Sequence, residues 1–389
     1  MPLSSSYLIL AAAVGIISLS AAMLIARIKL SQAYAMLGLF LLSGACANTL
    51  PLVTELWPDT RQYALAIVIP AYFAQPIFLW LYVKGLCSPT QWRLRGTSKH
   101  HMILPILSLV YAVVILLAPS GEIAAGFDGD KESISPLIEG IFFTTFLLML
   151  AWIGLSCVYL VFIIRRLLNY RRALKQLFAS TDQVELGWLL SVIVVIALAW
   201  CAALVYLILG FNGRTHLIEP QLLASCYFAL VWVLSFWGLR QKPGFHDRYI
   251  HRDDSALEEV IKIADNPAST RKYARSGLDK AACSKIAERI ENAMRSRELY
   301  LDPTLSLSSL STELSVVPNY VSQALNAILE HTFFDYINKW RVAYSQPLIR
   351  AGEQSVLDIA LASGFNSRSS FYKAFKKETG KTPTEYKAT

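Results

Sequence analysis

From residue 6 to residue 239 the chain repeats one pattern: a long apolar run, a short polar break, then another apolar run. Roughly 20 consecutive apolar residues are needed to cross a bilayer as a helix. Stretches near 6–26, 33–53, 63–84, 102–119, 137–164, 186–210 and 220–239 meet that length closely enough to predict seven spans. Beyond residue 240 the pattern changes. Apolar positions now recur every three or four residues inside short polar blocks: Ile286, Ile290 and Met294; Leu307, Leu310 and Leu314; Val321 and Leu325; Phe371 and Phe375. That period predicts short amphipathic helices around a small core. The expected fold class is therefore all-α throughout, with residues 1–239 as a seven-helix transmembrane bundle, 240–284 as a linker and 285–389 as a separate helical domain.

Composition sharpens this division. Hydrophobic residues make up 54% of the 389 positions and charged residues only 16%, against about 25% charged in ordinary soluble domains. Residues 1–239 hold 14 Lys/Arg and 10 Asp/Glu, and residues 240–389 hold 22 and 18. Each part nets +4, so total charge does not single out a nucleic-acid-binding half. The six cysteines (Cys46, Cys87, Cys157, Cys201, Cys226 and Cys283) form no C-x-x-C pair. Neither a disulfide framework nor a zinc site is expected.

Loop charges orient the spans. Met1 to Tyr7 carries no Lys or Arg, while Arg27 and Lys29 follow the first apolar run. A secretory signal has the opposite order, so the run is expected to be a retained span with its N-terminus outside. The inside loops then hold Arg27, Lys29, Lys84, Arg93, Arg95, Lys99, Arg165, Arg166, Arg171, Arg172 and Lys175. The outside loops hold Arg61, Lys131 and Arg214. The excess lies inside, as membrane insertion requires, and seven spans leave the C-terminus inside too. Trp57, Trp188 and Trp237 fall near span ends, where interfacial tryptophans concentrate.

Within the spans, Asn48, Gln75 and Glu139 stand out, along with Pro51, Pro70, Pro76 and Pro105. Polar residues at such depth are functional candidates, and the two prolines flanking Gln75 offer a bend in the third span. The acidic stretch at 120–136 reads as a solvated outside loop. His100-His101 is an isolated interfacial pair.

The connector from Arg240 onward alternates in charge. It contains one candidate short helix near Ser255–Asp265 and a loop at Asn266-Pro267. If disordered, its roughly 45 residues reach about 35–40 Å. The stripe at 281–299 is expected to be a first helix packing on the C-terminal domain, since a coiled coil needs three or four heptads.

The C-terminal domain repeats one design. Ser306 starts a short helix carrying Leu307, Leu310 and Leu314; Ser315-Val-Val-Pro318 turns; and Asn319 to Ile328 forms a second helix with Asn319, Ser322, Gln323 and Asn326 on its outer face. Ser355 with Asp358 starts another pair, Gly364 supplies the turn, and Ser367 to Thr379 follows. There Phe371 and Phe375 face inward, and Arg368, Ser369, Tyr372 and Lys373 face outward. A helix-turn-helix sets such polar residues against base edges in the major groove. Lys376, Lys377 and Lys381 beside them suit phosphates.

These strings, above all Ser355-Val-Leu-Asp-Ile-Ala, Gly364-Phe-Asn-Ser and the closing Gly380-Lys-Thr-Pro-Thr-Glu-Tyr386, resemble the AraC/XylS-family DNA-binding domain over about 295–386. The resemblance implies two recognition helices joined by a long helix and entering successive major-groove turns about 10 bp apart. It places base contacts on Asn319, Ser322 and Gln323 in the first reader, and on Arg368, Ser369, Tyr372 and Lys373 in the second. Two departures matter. The long helix, about 332–351, carries Pro347, which costs a helix interior about 3 kcal/mol. Glu330-His331 stands where the family often has glycine. The membrane half resembles no particular family.

The expected function is a non-enzymatic, sequence-specific transcription regulator in a bacterial inner (cytoplasmic) membrane, coupling a signal sensed in or across the bilayer to promoter binding. Its partners would be double-stranded promoter DNA, the lipid bilayer and an unidentified small-molecule or peptide signal. RNA polymerase and a second copy of the chain are further candidates, and no cofactor or metal is expected. The rival reading is a transporter or membrane enzyme whose C-terminal domain is a docking module. Against it, the spans contain no H-E-x-x-H, no G-x-S-x-G and no paired carboxylates.

Overall fold

The computed structural model describes every residue except 1–4, 30, 89–91, 95–99, 130–132, 182–185, 212–219, 241–278 and 388–389. Residues 241–278 of the connector, with its expected short helix, thus lie outside the described residues, and its last residues from Lys280 belong to a helix. The described residues are all-helical, without strands. The chain divides into two compact units: Met1–Leu167 with Gly187–Gly244, and Leu168–Leu186 with Phe245–Thr389.

The first unit holds α1 (Ser5–Ala26), α2 (Gln32–Leu56), α3 (Arg61–Leu86), α4 (Ile103–Leu117), α5 (Ser120–Asp128), most of α6 (Pro136–Leu177), α7 (Gly187–Phe211) and α8 (Pro220–Arg240). Helix thus occupies each of the seven apolar runs. Among the described residues, four helical stretches are long and apolar enough to cross a membrane: Ser5–Ala26, Pro58–Leu86, His100–Leu117 and Pro136–Leu177. The acidic stretch at 120–136 is not simply a loop. Its first half is α5, stopped by Gly129 in the left-handed conformation at φ 78° and tied down by an Arg61–Asp128 ion pair at 2.7 Å.

In this unit α2 packs on α1 and α3, α1 on α8, and α3 on α4. Polar side chains satisfy helix ends that would otherwise leave carbonyls bare. Buried Gln62 donates to both Ile115 O and Ala118 O at 2.7 Å, closing the end of α4. Arg27 donates to Leu239 O at 2.7 Å. Helix α3 runs through Pro70 and Pro76 without interruption. Near Gln75, Asn48 Nδ2 and Tyr227 Oη both donate to Gly44 O, at 2.8 and 3.1 Å. A row of large apolar side chains points outward from α4, including Ile103, Ile106, Leu107, Val110 and Leu117. Soluble monomers rarely expose so contiguous an apolar surface.

Among the described residues, the second unit holds the end of α6 and the α-helices α9 (Lys280–Arg297), α10 (Leu307–Glu313), α11 (Pro318–Ala327), α12 (Phe333–Ala351), α13 (Val356–Ala362), α14 (Arg368–Thr379) and α15 (Pro383–Lys387). Helix α9 buries Ile286, Ile290, Ala293 and Met294 and packs against α11, as a first helix of the domain should. Its Arg289 donates to Leu314 O at the end of α10, and its Arg297 pairs with Glu313. Helix α12 is continuous through Pro347, which sits near its C-terminal end. Thr332 accepts from Asp335 N at 3.1 Å to start it, and Gly352 at φ 69° stops it.

Candidate nucleic-acid interface

The two helix-turn-helix pairs are α10–α11 and α13–α14. Each begins with a serine cap, the residue type that best satisfies a helix's unpaired N–H groups. Ser306 accepts from Ser309 N at 3.1 Å while Ser309 Oγ accepts from Ser306 N at 2.9 Å, a reciprocal box. Ser355 accepts from Asp358 N at 3.2 Å and donates to Asp358 Oδ2 at 2.6 Å. Ser367 caps the second reader through Ser370 N at 3.2 Å.

Both turns need one residue with positive φ. In the second pair it is Gly364 at φ 84°. A Cβ there would lie 2.7 Å from Tyr300 O and 2.8 Å from Leu301 O, so the position requires glycine twice over. In the first pair the same role falls to Ser315 at φ 48°. The closing hydrogen bonds correspond: Val316 N to Ser311 O at 2.9 Å, and Phe365 N to Ala360 O at 3.0 Å. Glu330, at the position where the family often has glycine, adopts φ 56°. The left-handed turn before α12 is therefore kept without its usual residue.

The second reader is anchored by Phe365, Phe371 and Phe375, packed with Val342 and Ile349 of α12 and Ile359 and Ala360 of α13. The rings meet edge-on at 5.2 Å for Phe365–Phe371 and 5.4 Å for Phe371–Phe375. Each buried phenylalanine contributes about 1.5–3 kcal/mol. This anchoring holds the opposite face of α14 outward. Arg368, Ser369, Lys373, Lys376 and Lys377 are exposed there, and Tyr372 is half-buried. In the first reader Asn326 is exposed, while Asn319, Ser322 and Gln323 are half-buried around the inward Val321, Ala324 and Leu325.

Two of these side chains are held by neighbours. The Arg368 guanidinium reaches Tyr372 Oη at 3.0 Å, and Tyr372 Oη meets Thr384 Oγ1 at 3.2 Å. These hydrogen bonds, that to Thr384 foremost, draw the Tyr372 phenol below its ordinary pKa. Lys377 is ion-paired to Asp335 of α12 at 2.7 Å. Thr384 carries no charge and belongs to no apolar pattern, so its role is not legible from its own surroundings in the chain. Arg341 was equally hidden: fully buried in α12, it donates to Tyr300 O, Ala179 O and Asp302 O at 2.7, 3.1 and 2.8 Å. Among the described residues, no group of three or more His, Cys, Asp or Glu is placed to hold a metal ion.

Residues 310–389 match the family model described as a helix-turn-helix domain. The C-terminal region is an AraC-type helix-turn-helix domain. The match covers about a fifth of the chain. The chain is similar to the melibiose operon regulatory protein of Escherichia coli (strain K12), 25% identical over 148 residues, which is 34% of this chain and 49% of that protein. It is also similar to an uncharacterized HTH-type transcriptional regulator of Staphylococcus aureus (strain COL), 31% identical over 90 residues, 23% of this chain and 12% of the relative. The chain thus spans about half the length, or less, of these relatives. No solved structure matches it. The relatives are transcription regulators, not enzymes, and the domain supports DNA-binding transcription regulation.

Proposed function

We propose that this chain is a membrane-embedded, one-component transcription regulator. Its apolar half, read as seven spans with the N-terminus outside a bacterial inner membrane, senses a small-molecule or peptide signal. Its C-terminal domain binds promoter DNA in the cytoplasm. The observation that carries the reading is the union in one chain of an AraC-type domain with paired readers and a helical unit whose outward side chains are large and apolar. The loop-charge asymmetry supports an inside location for the domain. RNA polymerase and a second copy of the chain remain partners of this reading, to be tested with it.

In this scheme Arg368, Ser369, Tyr372 and Lys373 read bases in one groove turn, and Asn319, Ser322, Gln323 and Asn326 in the next. Arginine pairs bidentately with guanine, and asparagine or glutamine with adenine. Lys376 meets backbone phosphate. The test is a footprint by the full chain in lipid nanodiscs on duplexes enriched from a random-sequence library. The expected result is protection over two neighbouring major-groove turns, about 10 bp apart. Absence of any sequence-specific protection would sink the reading. Reporter fusions in the 120–136 stretch and after residue 175 test orientation: signal from the outside compartment at the first and the inside at the second is expected.

A further inference from the structure

The second unit contains a piece of chain that the helix-turn-helix pattern does not predict. Residues 168–181, the last turns of α6 and the four residues after it, are built into the DNA-reading domain. Leu174, Leu177, Phe178, Ala179 and Thr181 are all buried. The contacts of this tail fall on three separate parts of the domain. At the first reading pair, Phe178 forms a bridge with Ser306, the cap of α10. Ala179 N donates to Leu305 O at 3.1 Å, and Gln176 Oε1 accepts, at a longer 3.4 Å, from Asn326 of the first reader. At the long helix, Arg341 donates to Ala179 O at 3.1 Å, and Lys175 Nζ lies 5.6 Å from the centre of the Phe334 ring. At the second pair, Asn366, two residues before the second reader, donates to Ser180 Oγ at 2.8 Å.

We infer that this tail is a positioning brace that sets the orientation of one reading helix relative to the other. The argument rests on which groups it joins. Without the tail the two readers are related by α12, which lacks a backbone hydrogen bond at Pro347, and by the 300–303 backbone, against which Gly364 packs and to which Asn366 donates at Pro303 O, at 3.4 Å. The tail adds a further connection, running from Asn326 at one reader to Asn366 beside the other within the five residues Gln176 to Ser180. The buried Arg341 locks its middle: the guanidinium needs several acceptors once removed from water, and Ala179 O is one of them. The same helix carries, further upstream, the apolar run 137–164. A shift of α6 along or about its axis therefore reaches both readers together, and changes their relative setting. The brace rests on the regulator reading and deepens it by naming where a signal enters the DNA-reading domain.

The test uses the full chain in nanodiscs and the double variant Gln176→Ala/Ser180→Ala, which removes the side-chain links to Asn326 and Asn366 while keeping the hydrogen bonds at Ala179 and the apolar packing. The probes are duplexes enriched by the wild-type chain from a random library, remade with one or two base pairs added to or removed from the stretch between the two contacted segments. One base pair rotates the second segment by roughly a tenth of a turn. The wild-type chain is expected to lose about tenfold or more in affinity at one altered base pair. The variant should lose only about threefold, its binding at the best spacing staying within about threefold of wild type. Faster amide hydrogen exchange over 320–327 and 366–372 in the variant is the accompanying sign of a loosened relation. An unchanged spacing profile, or an equal loss at every spacing, overturns the brace and leaves the regulator reading standing. Tighter binding with the profile unchanged also overturns it, since the tail would then be a cover over the readers. Failure of the wild-type chain to enrich any duplex overturns the regulator reading and the brace with it.

Discussion

The Arg368 guanidinium rests on the Tyr372 ring, 5.1 Å from its centre, and donates to the Tyr372 hydroxyl at 3.0 Å. The two residues are one turn apart on α14, so the stacking follows from helix geometry. Thr384 of α15, at 3.2 Å from the same hydroxyl, fixes the ring in turn. An exposed arginine has many rotamers, and holding it near one of them lowers the ordering cost of binding.

The first prediction follows from that relation. Arg368→Ala should cost about 1–3 kcal/mol at one base position and relax specificity there. Tyr372→Phe keeps the ring and removes the hydroxyl, and should cost about 0.5–1.5 kcal/mol in the same discrimination. Binding measured on duplexes carrying each base at that position checks both. If the Tyr372→Phe loss is undiminished in an Arg368→Ala background, the two side chains do not act as a unit.

Lys376 and Lys377 are neighbours in sequence with different prospects. Lys376 is exposed on α14, and its replacement by alanine should weaken binding to all sequences alike and lower the slope of log K against log[salt] by about 1. Lys377 is already bound to Asp335 at 2.7 Å, with side-chain exposures of 59% and 26%. Lys377→Ala should leave most of the salt slope intact and cost about 0.2–1 kcal/mol of domain stability, the range for partly exposed ion pairs. Salt titrations of both variants separate the two outcomes, and equal slopes for the two would contradict the assignment.

Among the described residues, Leu186, Glu298, Ser315 and Glu330 occupy left-handed backbone without being glycine, Ser315 at φ 48° in the first turn and Glu330 at φ 56° before α12. That conformation costs an L-residue roughly 1–2 kcal/mol, partly offset in glycine by the larger entropy of its unfolded chain. Glu330→Gly should therefore raise the stability of the domain by about 0.5–1 kcal/mol. Thermal or urea unfolding of the second unit within the full chain measures it. A loss of stability would mean that the Glu330 side chain makes contributions larger than the strain.

Much of the domain was legible because its signals are local. Ser306, Ser355 and Ser367 cap helices wherever serine precedes an amphipathic run, and the Phe371/Phe375 spacing dictates which face of α14 turns inward. Gly364 was legible for the same reason. Pro347 misled in the other direction: near the end of α12 a proline removes one bond from a turn that is already closing, and the packing of Val342 and Ile349 into the second reading pair keeps the helix intact. What stayed hidden is non-local. Nothing near Ala179 in sequence indicates that its carbonyl serves Arg341, 162 positions away. The Lys377–Asp335 pair and the Thr384–Tyr372 contact likewise join residues on different helices, where charge and polarity patterns along one helix carry no information. Helix α5 was missed because its nine residues are too short for a periodic signal and its stop depends on a single glycine.

The sharpest stability prediction concerns Gly364. Its φ of 84° excludes ordinary side chains, and its Cα approaches the 300–301 backbone so closely that an added Cβ would meet two carbonyl oxygens at 2.7 and 2.8 Å and the Arg341 Nε at 3.0 Å. None of these can yield cheaply. The oxygens belong to backbone, and one of them, Tyr300 O, is itself an acceptor for Arg341 at 2.7 Å. Gly364→Ala should thus combine the left-handed penalty with overpacking of about 1–3 kcal/mol, a total of about 2–5 kcal/mol, and displace the acceptors of a fully buried guanidinium. The expected result is loss of cooperative unfolding or a large fall in its midpoint, with DNA binding lost in parallel. The equivalent Ser315→Ala change, where a side chain is already accommodated, should stay within about 1 kcal/mol of wild type. A Gly364→Ala loss no larger than the left-handed penalty of about 1–2 kcal/mol would show that positive φ alone, and not the close approach of the 300–301 backbone, sets the requirement for glycine.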